Sequence, residues 1–171
     1  ACMSFQTVIL GIDPGLVRTG WGVITCEGAH VSWIAHGVVA PPPTASLSDR
    51  LGFLVRGITD VIETYRPAEA AVEEVFMAKN AQSALLLGHA RGATLAILSQ
   101  NQVAVSEYAT RRIKKALVGT GSAEKDQVAF MVRRLLPQSG SVSADAADAL
   151  ATAICHAAER RSPAFHAVKT A

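Results

Sequence analysis

The sequence predicts an α/β domain with a five-stranded mixed sheet and helices on both faces. Three observations carry this: three strand patterns in succession at the start, then helix and strand patterns in alternation, then a run of helical segments. Residues 7–12 form a β-branched apolar run that ends in Asp13-Pro14-Gly15, a strand entering a turn. Residues 20–26 and 30–40 give the second and third strands, and short turns between them predict an antiparallel meander. Pro41-Pro42-Pro43 ends the run, because proline has no N–H to give a ladder. Leu51, Leu54, Val55, Ile58, Val61 and Ile62 then recur at helical spacing across residues 48–65. Residues 69–75 and 103–108 are the fourth and fifth strands. Between them lies a mostly apolar helix over 81–100, expected to be buried on more than one side. Helices over 110–118, 123–136 and 144 to about 160 close the order, and the βαβ crossovers should be right-handed.

Composition narrows the class. Half of the residues are hydrophobic and 18% are charged, which excludes a disordered chain, and no Gly-X-Y or heptad register marks a fibrous one. The length suits one domain over 1–171, with residues 1–6 and about 162–171 expected to be flexible. The longest apolar stretch, 83–99, carries His89 and Arg91 in its middle, so no membrane span is expected. The first residues have no secretory pattern. Cys2, Cys26 and Cys155 are scattered and odd in number, which fits a reduced, cytoplasmic protein without a disulfide framework or thiolate zinc site.

Charge is unevenly placed. Residues 107–134 hold seven of the 16 Lys and Arg but only three of the 14 Asp and Glu. A local basic patch on an otherwise slightly acidic domain points to a polyanion met over part of the surface, although on charge alone a solvated helix face is the favoured explanation.

Acids stand in unusual places on three separated elements. Asp13 ends an apolar strand, where a carboxylate costs free energy unless it is paired or metal-bound. Glu73 and Glu74 interrupt another core strand, and only one of them can face the way Asp13 faces. Asp145 and Asp148 lie three apart on the last helix and so share a face, among alanines small enough to bring that helix close to the sheet. Each has an ordinary explanation: a turn, a strand end, a helix cap with Ser143 as the capping residue. Together they would repel one another unless a divalent cation neutralised them. Oxygen ligands without His or Cys favour Mg²⁺ or Mn²⁺, the ions of phosphodiester hydrolysis. With a basic segment between them, metal-dependent nucleic-acid chemistry is the better joint explanation.

Other signals are weaker. The five histidines show no ligand spacing, and no nucleophile elbow, P-loop or dinucleotide fingerprint is present. Gly119-Thr120-Gly121-Ser122 joins two basic helices and serves as a plain turn or as a phosphate-holding one. Gly88 and Gly92 share a helix face that packs on the sheet by default, or on a second subunit.

Residues 9–15, 73–80, 119–125 and 144–151 (ILGIDPG, EEVFMAKN, GTGSAEK and ADAADALA) together resemble the RuvC family of bacterial Holliday junction resolvases, in the family's order and spacing. The resemblance implies an RNase H-like fold, a homodimer, and paired nicks across a four-way DNA junction in recombination and repair. It assigns Asp13, Glu73, Asp145 and Asp148 as metal-binding acids, choosing Glu73 over Glu74, with two Mg²⁺ per site that Mn²⁺ can replace. By the same resemblance Lys114 and Lys125 contact DNA, Lys125 with a catalytic share, and Phe76 acts on bases at the crossover. Lys79, Arg111 and Lys115 complete the expected DNA-contacting set, and a branch-migration complex of the RuvA and RuvB type is the expected partner. Two rivals remain at this level. An actin-like ATP-binding domain also opens with a strand, an Asp and a Gly, but it does not predict Asp145 with Asp148. A junction-binding module without catalysis does not predict four intact acids.

Overall fold

The computed structural model describes residues 6–74 and 80–161. One five-stranded sheet organises them, in the order β3-β2-β1-β4-β5. Its strands are β1 (Thr7–Asp13), β2 (Thr19–Glu27), β3 (His30–Val39), β4 (Glu69–Glu74) and β5 (Ala104–Ala109). The first three form the antiparallel meander, while β4 and β5 run parallel to β1, so the sheet is mixed as expected.

Side-chain alternation divides the core into two layers. Leu10 and Ile12 of β1 and Ala70 and Val72 of β4 face α1 (Leu47–Tyr65) and α2 (Ala81–Gln100). Ile9 of β1 and Ala71 of β4 face α3 (Thr110–Val118), α4 (Lys125–Leu135) and α5 (Ala144–Glu159). Parallel pairing sets Ile12 beside Val72, and one further step brings Asp13 beside Glu73 on the α5 side. The alternation therefore selects Glu73, not Glu74, as the companion of Asp13.

Local chemistry explains where the helices begin. Ser46 caps α1 by accepting from Asp49 N, Asn80 caps α2 by accepting from Ser83 N, and Ser143 caps α5 by accepting from Ala146 N. The short 3₁₀ turn Pro137–Ser139 has no counterpart in the sequence reading.

The buried helix is α5, and its closeness depends on glycines in the sheet. A Cβ on Gly11 would run into the carbonyl oxygen of Ala149, and one on Gly20 into that of Asp145. The alanines of α5 supply only half of this approach; strand glycines supply the rest. At the far end of α5, buried His156 joins the Tyr108 hydroxyl at 2.8 Å and Glu69 at 2.6 Å. Arg160 adds a bidentate pair to Glu69, at 2.7 and 3.0 Å.

The expectation for α2 is overturned. Ala81, Leu85, Gly88, Gly92 and Ala96 lie exposed along it, and among the described residues nothing lies within 4 Å of a Cβ built at Gly88 or Gly92. An apolar helix at the margin of the sheet has one face to bury against α1 and β5, and the described residues leave the other face open. Among the described residues, no helix is long and apolar enough to cross a membrane.

Candidate active site

The C-terminal ends of β1 and β4, the start of α3, the start of α4 and the first turns of α5 converge on one cleft. Its volume is about 290 Å³, and Asp13, Glu73, Thr110, Lys114, Lys125 and Asp148 line it, with Ile113, Val128 and Ala151 as its apolar wall. Asp13, Glu73, Thr110 and Lys125 arrive from the ends of rigid elements, Lys114 from the middle of α3 and Asp148 from the second turn of α5.

The carboxylates are strained electrostatically. Burial and then the neighbouring charges of Glu73 and Asp148 push Asp13 up to about 8 from 3.8. Burial also raises Glu73, against a hydrogen bond of 2.5 Å that Thr110 Oγ1 donates to it. Lys125 Nζ lies 3.2 Å from Asp148 Oδ2 and is itself held above its ordinary value, chiefly by that charge. Asp145 stands at the edge of the group and does not line the cleft; Arg18 Nε donates to its Oδ2 at 2.6 Å. Among the described residues, no three acid, His or Cys side chains are gathered as a ready-made metal nest. The donor set nevertheless fits a hard cation. It is all oxygen, and two of its carboxyls are driven towards protonation, first by burial and then by neighbouring acids, Glu73 and Asp148 acting on Asp13 and Asp148 on Glu73; a positive ion would reverse this.

A family model described as "Crossover junction endodeoxyribonuclease RuvC" matches residues 9–156. The chain belongs to the RuvC family. A "Crossover junction endodeoxyribonuclease RuvC" of Caulobacter vibrioides is 58% identical over 151 residues, which cover 88% of this chain and 89% of that protein. Among solved structures, a Thermus thermophilus RuvC matches with a TM-score of 0.82 at 35% identity, covering 90% of this chain and 95% of the other. T. thermophilus RuvC in complex with a Holliday junction substrate also gives 0.82, at 32% identity and 96% coverage of each chain. The fold is thus the RNase H-like resolvase fold.

Of the residues that the RuvC resemblance singles out, the cleft gathers Asp13, Glu73, Asp148, Lys114 and Lys125. Asp145 adjoins them through the shared face of α5. Arg111 and Lys115 are exposed on α3 and do not line the cleft; Arg111 packs beside Gly121 of the turn to α4. Phe76 and Lys79 lie outside the described residues. Two site residues escaped the sequence reading. Thr110 carried no signal beyond its place after β5. Arg18 carried one: it is the lone base in the turn that follows Asp13.

Proposed function

We propose that this chain is a Holliday junction resolvase, one nuclease domain over residues 1–171 that cuts a four-way DNA junction by paired, metal-dependent phosphodiester hydrolysis. One observation carries the reading beyond family membership: half-buried Asp13 and Glu73 lie side by side on parallel strands, with Asp148 and two lysines around them. Such a cluster of acids costs a fold free energy, whereas a site that holds a divalent cation uses it.

Asp13, Glu73, Asp148 and, from the edge, Asp145 would hold Mg²⁺, or Mn²⁺ in its place, and two ions per site suit four carboxylates. When bound, the metal supplies an activated water and charge relief for the departing 3′-oxygen. The rest falls to the chain's own residues. Thr110 fixes the rotamer of Glu73 through its hydroxyl. Lys125, now paired with Asp148, and Lys114, which also lines the cleft, offset the charge of the incoming phosphate. The apolar wall of Ile113, Val128 and Ala151 limits water around the acids and so strengthens every charge interaction there. Arg111 and Lys115 extend the positive surface from the cleft along α3, where backbone phosphates would lie and binding would weaken with salt. Phe76, by resemblance, would unstack bases at the crossover, and Lys79 would contact the DNA.

A four-way junction has two-fold symmetry, and paired nicks call for two sites, so the working form is a homodimer. The open apolar face of α2, with Leu85 64% exposed, supports this. A branch-migration complex of the RuvA and RuvB type is the partner that would present the junction.

The test is cleavage of a synthetic four-way junction beside a linear duplex of equal length, with Mg²⁺ and with EDTA. Paired nicks on the junction alone, abolished by EDTA, are expected. Tight junction binding without nicks in either Mg²⁺ or Mn²⁺ would replace the reading with that of a binding module.

A further inference from the structure

Arg18 lies in the turn between β1 and β2, five residues past Asp13, and its side chain is half exposed. The turn is braced from below. Gly15 N donates to Thr19 Oγ1 at 3.1 Å, Thr19 Oγ1 donates to Gly15 O at 2.7 Å, and Arg50 donates to Leu16 O at 3.0 Å. Arg18 therefore extends from a fixed base, beside the 69% exposed Val17. Its Nε donates to Asp145 Oδ2, and among the described residues neither terminal NH₂ group has a protein partner.

Of the four acids, Asp145 alone has its charge answered by a residue outside the cleft. We infer that Arg18 is the internal counter-cation of Asp145, and that it gives up this carboxylate to the divalent cation and takes a DNA backbone phosphate instead. The inference rests on the metal-dependent reading above. Its physical grounds are three. A guanidinium and a divalent cation on the same carboxylate repel each other, so both cannot hold Asp145 fully. An ion pair this exposed is weak enough to exchange. The unused NH₂ edge of Arg18 matches a phosphate bidentately, which a lysine would not. Cation entry at Asp145 and phosphate capture by Arg18 then favour each other, and that coupling is reciprocal. Arg18 keeps the outer ligand of the site occupied until DNA is present.

The experiment compares wild type with Arg18→Gln and Arg18→Lys, after thermal melts show that all three fold. Calorimetric titration of the DNA-free proteins with Mn²⁺ should show Arg18→Gln binding about two- to fivefold tighter, because the competing guanidinium is gone. Junction binding is then followed across a salt series. In Ca²⁺, with substrate integrity checked, Arg18→Gln should lose about one phosphate contact from the salt slope; in EDTA it should match wild type. Arg18→Lys should keep the slope but bind Mn²⁺ as wild type does. Loss of a merely structural Arg18 would weaken both Mn²⁺ and junction binding, or change neither. Equal or weaker Mn²⁺ binding by Arg18→Gln, or an unchanged slope in Ca²⁺, overturns the inference while leaving the resolvase reading intact. Absence of Mn²⁺ binding and of junction preference in wild type itself would instead overturn that reading.

Discussion

Gly20 of β2 and Asp145 of α5 meet backbone to backbone: the strand passes so close to the helix that the position of a glycine Cβ is filled by the Asp145 carbonyl oxygen. Gly20 is paired with Asp13 in the β1–β2 ladder, so this contact lies between two of the acids. Replacing Gly20 with Ala must push the first turn of α5 outward, since a backbone atom cannot rotate away. We expect a stability loss of about 1–3 kcal/mol, typical of overpacking. Cleavage should fall further than stability accounts for, because both Asp145 and Asp148 ride on the displaced turn. Chemical denaturation alongside single-turnover cleavage measures the two effects separately.

The acids themselves give the sharpest expectation. Asp13→Asn, Glu73→Gln, Asp145→Asn and Asp148→Asn should each abolish nicking while a junction still shifts in a gel. Lys125→Ala should lower single-turnover cleavage by about 10²-fold, with little change in melting temperature, because Lys125 is mostly exposed and lost to the fold at small cost. Near-normal nicking by any one acid variant in Mg²⁺ would remove that residue from the site.

A pH dependence follows from Asp13. Its carboxyl is near 3.8 in an open chain and about 8 in the fold, so between these values the folded protein holds a proton that the unfolded chain releases. Without metal, stability should therefore decline as pH rises from about 4 to 8. Asp13→Asn cannot ionise and should escape the decline. Melting in EDTA should show the variant above wild type at pH 8, by about 2–4 °C for each kcal/mol relieved, and level with it near pH 4. A variant that melts lower at pH 8 would mean that the Asp13 carboxylate is already well neutralised by its neighbours.

Glu69 has the opposite sign. The His156 hydrogen bond, and then Arg160, hold its carboxyl down at about 2, and the stability this contributes is present above the open-chain value and lost as pH falls towards 2. Glu69→Gln should cost about 1–3 kcal/mol at neutral pH and flatten the acid limb of the stability profile. It lies at the far end of α5 from Asp145, so nicking per folded molecule should be unchanged.

The open face of α2 makes a prediction about assembly. Leu85→Glu or Gly88→Arg places a charge on an exposed face where, among the described residues, nothing packs on Gly88. Light scattering after size exclusion should show monomers with an unchanged melt, and such monomers should nick one strand where wild type nicks two. Unchanged mass would place the dimer contact elsewhere.

Much of this architecture was legible because it depends on periodicity. The meander, the βαβ order and the start of α5 all follow from apolar spacing and from caps such as Ser143. The pairing of Asp13 with Glu73 needed register, which a single sequence leaves open between neighbouring residues. Outward-facing Gly88 and Gly92 were opaque for a different reason: an apolar helix with little amphipathic contrast does not say which side meets its own sheet. Arg18 was opaque because its partner Asp145 is 127 residues away, and no local pattern encodes so long a contact.

That long reach has a consequence for how the protein comes into being. Asp13 and Glu73 sit on strands made early, yet Asp145 and Asp148 arrive only with α5, which also seals the sheet against Gly11 and Gly20. On the proposed assignment, a chain still emerging from the ribosome lacks two of its four acids until α5 is made, and should be unable to cut. Among the described residues, α5 is at once the keystone of the core and the carrier of those two acids, so a chain truncated before it should bind no metal at this site.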